Sequence, residues 1–561
     1  MTATDSELPV TYEARRSQMF PKMTPEQLSR CRRVGTEVDV DEGAIIFDQG
    51  DENVALFVVL EGAIEILHPD ASGDKLVTVH EPMEFTGEVS LLSERRSLLR
   101  GRARTKAKLL RVARAAVRSL VQNDTDLSEL FLRAFILRRV GLLEGHLGDV
   151  VLVGSRHSAE TLRAQEFLSR NGHPYRYVDV DVDAGVQALL DGFHVGPKEI
   201  PVLVCRGDRV LKHPSNAEIA ECLGFNANID VRTVRDVVVV GAGPGGLAAA
   251  VYAASEGLDV LVVEVGAPGG QAGSSSKIEN YLGFPTGISG QALAARAFTQ
   301  AEKFGANIAI ARGASRLDCT VEPYAVHLDD GETVRARAVV IATGAQYRKL
   351  VLPDLDRFEG VGVYYGATFV EAQRCQSDDV IVVGGGNSAG QAAMFLSKTS
   401  RHVHVLVRGP GLESTMSRYL IRRLEETPNV TVHVRTRVVA LAGEDTLQEV
   451  TWVDESPGNP EPVTSTHRIG HIFSMTGAQP NTAWLDGCLL LDEKGFILTG
   501  SDLPAEVGQG AKTGRPHMLF ETSLPRVFAV GDVRANSVKR VASAVGEGSV
   551  CVQLIHRSLA P

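Results

Sequence analysis

The chain predicts an α/β architecture in which a strand, a glycine-rich turn and a helix occur twice, preceded by a smaller α/β unit and by a β-roll. Three observations predict it. The apolar run "VVVV" at 237–240 leads into Gly241-x-Gly243-x-x-Gly246 and an alanine-rich segment. The same order returns where "VIVV" at 380–383 leads into Gly384-x-Gly386-x-x-Ala389. Between residues 36 and 112, short runs alternate apolar and polar residues and are punctuated by glycines, the rhythm of a small all-β unit.

Bulk properties bound the function. A chain of 561 residues is too long for a single core and divides into several domains. Its net charge of -11 argues against nucleic acid as the main partner, because a duplex-binding surface needs clustered Lys and Arg. "MTATDSELPVTYEARRSQMF" has no apolar core, so no secretory signal is read there. No apolar run approaches the ~20 residues that cross a bilayer, and a cytoplasmic location with no membrane partner is expected. The seven cysteines (31, 205, 222, 319, 375, 488, 551) show no Cys-x-x-Cys spacing. Neither a disulfide framework nor a zinc site is legible in them, and buried apolar roles are expected.

Each glycine turn has a physical task. Glycine permits the tight turn and close approach of backbone to a pyrophosphate, and the following helix presents free N–H groups to the phosphates. In the first copy Gly241, Gly243 and Gly246 fill these roles, and Glu264 ends the next apolar run, placed to accept hydrogen bonds from an adenosine ribose. In the second, Gly384 and Gly386 lead into a helix opened by Asn387 and Ser388. The distance from Gly241 to Glu264, counted from Gly384, ends on Val407, with Arg408 next. An acid missing and a cation beside it favour a 2′-phosphate, hence NADPH. Two nucleotide sites imply a flavin reduced by a nicotinamide. "AVVIATGA" (338–345) brings Thr343 and Gly344 to a small-residue turn, and "PRVFAVGDVR" (525–534) delivers Asp532 to a turn before a helix. An acid there can hold a ribityl chain.

With these motifs in order, residues ~235–561 resemble low-molecular-weight thioredoxin reductase. The resemblance implies two Rossmann-like domains, an FAD domain at 234–350 and 481–561 split around an NAD(P)H domain at 351–480, and a homodimer. "GGQAGSSSKIENYLGFPTGISGQAL" (269–293) is similar to the segment that runs along the flavin, placing Gln271 and Asn280 near it. Where the family carries Cys-Ala-Thr-Cys, this sequence has Gly366-Ala367-Thr368-Phe369. Gly366 and Phe369 can support no dithiol relay, so no catalytic residue is assigned and an unknown acceptor other than a dithiol is expected. Gly409 and Glu413 likewise stand at places often held by arginine.

Residues 148–226 read as strand, helix, strand, helix, then "IPVLV" and a hairpin, and resemble a thioredoxin or glutaredoxin fold. Ile200-Pro201 matches that family's cis-proline, while Ser155-Arg156-His157-Ser158 occupies the place of its cysteines. A docking module is the simplest reading. Residues 12–145 resemble a cyclic-nucleotide-binding domain, with "TGEVSLLSERRS" (86–97) similar to its phosphate-binding cassette. The resemblance implies that Glu88 holds the ribose 2′-hydroxyl and Arg96 the phosphate of cyclic AMP or cyclic GMP. The expected activity is thus an NADPH-dependent FAD oxidoreductase tuned by a nucleotide sensor. Two alternatives stay open: a thioredoxin-disulfide reductase with relocated cysteines, and a redox- or nucleotide-sensing scaffold with little turnover. No metal is expected.

Overall fold

Short alternating runs fold into the β-roll because each buries one face. In the computed structural model, Thr36–Val40, Ala107–Val112 and Leu56–Glu61 pair antiparallel in that order. A second sheet orders Ile45–Phe47, Arg100–Ala103, Ile64–His68 and Lys75–His80. The structure describes residues 12–560 except 70–72, 89, 94, 146, 184–185, 187–195, 197–198, 207–208, 227–229, 231, 458–460, 486, 505–506 and 508–514. Helices Arg114–Asn123 and Thr125–Glu144 close the roll, the second capped by Asp124, whose side chain accepts from the Leu127 N–H. Phe85, Phe131 and Phe135 fill the space beneath them.

The next unit is a four-stranded sheet ordered Arg209–Lys212, Val202–Cys205, Val150–Gly154, Arg176–Asp179. Val150–Gly154 runs parallel to Arg176–Asp179 and antiparallel to Val202–Cys205, and the Ile200–Pro201 peptide is cis. Ser158 caps the helix Ala159–Arg170 by accepting from the Thr161 N–H. One expectation is corrected here. Cys205 is bonded to Cys222, and Cys319 to Cys488, whereas Cys31, Cys375 and Cys551 are free and buried. Separations of 17 and 169 residues left no local spacing signal for either pair.

The large sheet follows from strands apolar on both faces, as a sheet covered by helices requires. Asn307–Ile310, Val260–Glu264, Arg235–Val240, Thr333–Ile341 and Val527–Ala529 run parallel in that order. Helix Pro244–Ser255 packs on helix Val541–Leu559 so closely that a Cβ on Gly548 would stand 2.2 Å from the Gly245 carbonyl oxygen. A two-stranded link, Ala345–Tyr347 with Ala478–Pro480, joins this body to the second parallel sheet. That sheet orders Val363–Tyr364, Ile472–Ser474, Asp379–Val383, His402–Val407 and Val430–Val434. Strands Thr436–Gly443, Leu447–Asp454 and Val463–His467 form an antiparallel sheet beside it. Among the described residues, no helix is long and apolar enough to cross a membrane.

Candidate functional site

The first glycine turn is shaped by backbone contact. Gly241 has φ +102°, and a Cβ there would lie 2.5 Å from the Ala342 carbonyl oxygen; a Cβ on Gly246 would lie 1.9 Å from the Gly241 carbonyl oxygen. Gly243 is the N-cap of helix Pro244–Ser255, and no side chain caps that end, so its N–H groups are left for phosphate. Glu264 is buried at the end of its strand. Its Oε2 accepts from the Ala242 N–H at 2.7 Å and its Oε1 from the Gly266 N–H at 2.9 Å. Burial raises its pKa, opposed by those N–H groups and by Arg170. Each carboxylate oxygen keeps a lone pair for a ribose hydroxyl.

Around this turn the other expected residues gather unevenly. Thr343 Oγ1 donates to the Asn481 carbonyl at 2.8 Å, and Asn481 Nδ2 returns a bond to the Thr343 carbonyl at 2.9 Å. Gly344 adopts φ +65° beside them, so both crossings between the two domains are pinned at one point. Asp532 lies in the single turn Gly531–Val533, where burial raises its pKa and Lys539 opposes the shift. Glu547, which sequence reasoning missed, fixes that turn by accepting from the Gly531 N–H at 2.7 Å and pairing with Arg534 at 2.8 Å. Gln271 and Asn280 are solvent-exposed.

At the second turn Gly384 has φ +148°, and a Cβ would stand 2.6 Å from the Met475 carbonyl oxygen. Gly386 caps helix Asn387–Leu396 without a side-chain bond. Asn387 Oδ1 accepts from the Ser417 N–H at 2.7 Å. Tyr347, also missed in the sequence, is half-buried; burial raises its pKa, opposed by a hydrogen bond with Ser388, and the Asp532 carboxylate adds to the rise. Val407 is buried and Arg408 exposed. Gly366 sits between strand Val363–Tyr364 and helix Phe369–Arg374, whose N-cap is Thr368 in a capping box with Glu371. The Phe369 side chain lies outside the described residues.

In the β-roll, a cavity of about 370 Å³ is lined by apolar residues such as Phe47, Ile66 and Leu99 and by Glu88, Arg95, Arg114 and Arg138. Glu88 pairs with Arg139 through Oε2 at 2.9 Å, while its Oε1 and Arg138 Nη2 have no hydrogen-bond partner among the described residues. Unsatisfied buried donors and acceptors facing a cavity are what a polar ligand would complete. Thr86 is buried, and its hydroxyl accepts from the Phe57 N–H at 2.9 Å. Arg96 is not part of the lining: it pairs with Glu52 at 2.8 Å. Arg95 takes the inward position.

Residues 235–548, more than half the chain, match the family described as pyridine nucleotide-disulphide oxidoreductase, and residues 37–124 match the cyclic nucleotide-binding domain. The chain is 32% identical over 368 residues to NADPH-dependent thioredoxin reductase 3 of Arabidopsis thaliana, covering 63% of this chain and 65% of that protein. It is 30% identical to the thioredoxin reductase of Mycoplasma genitalium, covering 57% of this chain and 94% of that one. The crystal structure of Lactococcus lactis thioredoxin reductase superposes with a TM-score of 0.51 at 26% identity, over 58% of this chain and 98% of that one. The structure of T. acidophilum thioredoxin reductase gives a TM-score of 0.51 at 27% identity, over 58% and 99%. With two uncapped helix ends at glycine turns and a family match spanning both, the chain belongs to the pyridine nucleotide-disulphide oxidoreductase family, as an oxidoreductase with FAD and NADPH for cofactors.

Proposed function

We propose that this protein is an NADPH-dependent flavin oxidoreductase that delivers electrons to an acceptor other than a Cys-x-x-Cys dithiol, under the control of a cyclic nucleotide bound in the β-roll. The observation that carries the reading is a chain that keeps both glycine turns, Gly241-x-Gly243-x-x-Gly246 and Gly384-x-Gly386-x-x-Ala389, but has no Cys-x-x-Cys. Bound FAD would supply the redox chemistry between NADPH and the acceptor. The protein's part is positioning. Gly241, Gly243 and Gly246 admit one pyrophosphate and Glu264 accepts from the adenosine ribose; Asp532, with its turn held by Glu547, accepts from the ribityl hydroxyls. Gly384, Gly386, Asn387 and Ser388 seat the second nucleotide, and Arg408 meets its 2′-phosphate. Gln271 and Asn280 line the approach to the ring. Glu88 serves the ribose of cyclic AMP or cyclic GMP. Anaerobic titration with NADPH, followed by a screen of quinones, oxygen and disulfides, tests this reading. Bleaching of the flavin with turnover on quinones supports it; no bleaching overturns it.

A second reading is favoured by the Cys205–Cys222 bond, which places a reducible pair in the middle domain. Under it, electrons reach a protein disulfide through relocated cysteines. Disulfide reduction lost in Cys205→Ser with quinone turnover intact would select it.

A further inference from the structure

The side chain that faces the β-roll cavity from its cassette also holds the three domains together. Arg95 lines the cavity, and its guanidinium lies 4.2 Å from the ring centroid of Phe225 in the middle domain and 5.2 Å from that of Phe298, on helix Gly290–Phe304 of the FAD domain. Its Nη1 donates to the Asn171 carbonyl at 3.2 Å. Charged neighbours are Glu302, Arg139 and Glu88. Two residues carry the contact into the nucleotide site. Asn171 Nδ2 donates to the Gly266 carbonyl at 3.3 Å, and Gly266 in turn donates its N–H to Glu264. Arg170 Nη2 donates to the Gly270 carbonyl at 3.0 Å, and a Cβ on Gly270 would stand 3.0 Å from the Gly243 Cα in the glycine turn.

We propose that Arg95 is the anion-binding side chain of the cavity, and that a cyclic nucleotide competes with Phe225 and Phe298 for its guanidinium, so that binding loosens the contact reaching Gly266 and Gly270 and alters the flavin's surroundings. The inference rests on reading the cavity as a cyclic-nucleotide site. A phosphate that draws this guanidinium into the cavity moves it away from both rings and from the Asn171 carbonyl that Nη1 now meets. The coupling is reciprocal: what frees Arg95 from the rings tightens the nucleotide, and the nucleotide weakens the hold on the flavin loop.

Calorimetry on the full-length holoprotein, with cyclic AMP and cyclic GMP as probes, tests it. Arg95→Gln is expected to weaken the bound nucleotide ten-fold or more, and Arg96→Gln to change it by less than about three-fold. Phe298→Leu, which keeps apolar volume outside the cavity but removes the ring face, is expected to tighten binding several-fold with its melting temperature as the folding control. Nucleotide addition is expected to shift flavin fluorescence in the wild type and not in Arg95→Gln. Unchanged affinity in Phe298→Leu, or loss of binding in Arg96→Gln but not Arg95→Gln, overturns this inference while leaving the cavity a nucleotide site. Failure of both nucleotides to bind the wild type overturns the site and the inference together.

Discussion

Glu264 ties the strand end to the glycine turn and still offers lone pairs to a ribose, so its replacement separates two effects. Glu264→Gln keeps the shape, but its amide nitrogen would face one of the two N–H groups now bonded to the carboxylate. The loss of one buried charge-assisted bond is worth about 1.5–3 kcal/mol, and FAD is expected to dissociate roughly ten-fold or more readily, measured by flavin release on dilution. Arg408 is the matching test for the nicotinamide. Exposed and without an ion pair among the described residues, it is available to a 2′-phosphate. NADPH is expected to reduce the flavin about ten-fold more efficiently than NADH, and Arg408→Ala to narrow that ratio in stopped-flow traces. The orientation of neighbouring side chains was not readable in the sequence. Arg95 and Arg96 are neighbours, and which one turns inward is decided by Phe225, Phe298 and Glu52, two of them more than a hundred residues away.

On the scale of elements, glycine turns were legible because their constraint is local. Gly246→Ala would put a Cβ 1.9 Å from a carbonyl oxygen, so the purified variant is expected to be colourless or unfolded by absorbance and circular dichroism. The strands around Trp452 hold a feature with no such local signature. His404 Nδ1 contacts His433 Nε2 at 3.1 Å, the His402 ring lies tilted beside that of His404 at 4.7 Å, and His467 lies 3.7 Å from Trp452, ring on ring. Burial, then His402 and His433, push His404 down from 6.5 to about 4; Asp379 opposes the shift. Burial lowers His433 and His467 as well. Groups held neutral bind fewer protons folded than unfolded, so their contribution is present above pH 6.5 and is lost as the pH falls toward about 4. Melting temperature is expected to fall through that window, with Trp452 emission changing in step and the fall flattened in His404→Gln.

For the whole molecule, the fold class was legible from rhythm and motif, because alternating strands, a βαβ pattern and two glycine turns are each written within about thirty residues. Pairings across long separations were not. Cys319 and Cys488 meet only because the strand ending at Asp318 lies beside the turn after Leu485, and nothing in their neighbouring residues encodes that. The electron path belongs to this scale. Thioredoxin and 5,5′-dithiobis(nitrobenzoate) are expected to be reduced at no more than a few per cent of the rate with a quinone, in parallel NADPH-oxidation assays. A disulfide rate matching the quinone rate would instead point to Cys205 and Cys222.

The split of the large parallel sheet also bears on how the protein is made. Strand Val527–Ala529 pairs with Thr333–Ile341, and helix Val541–Leu559 lies against Pro244–Ser255 across nearly three hundred residues of chain. During synthesis helix Pro244–Ser255 must wait, with the face that Val541–Leu559 covers left bare, while the intervening residues emerge. Closing so long a loop is slow, and exposed apolar surface in the interval invites aggregation. A ribosome-bound chain halted before residue 527 is therefore expected to aggregate on release more readily than the complete chain.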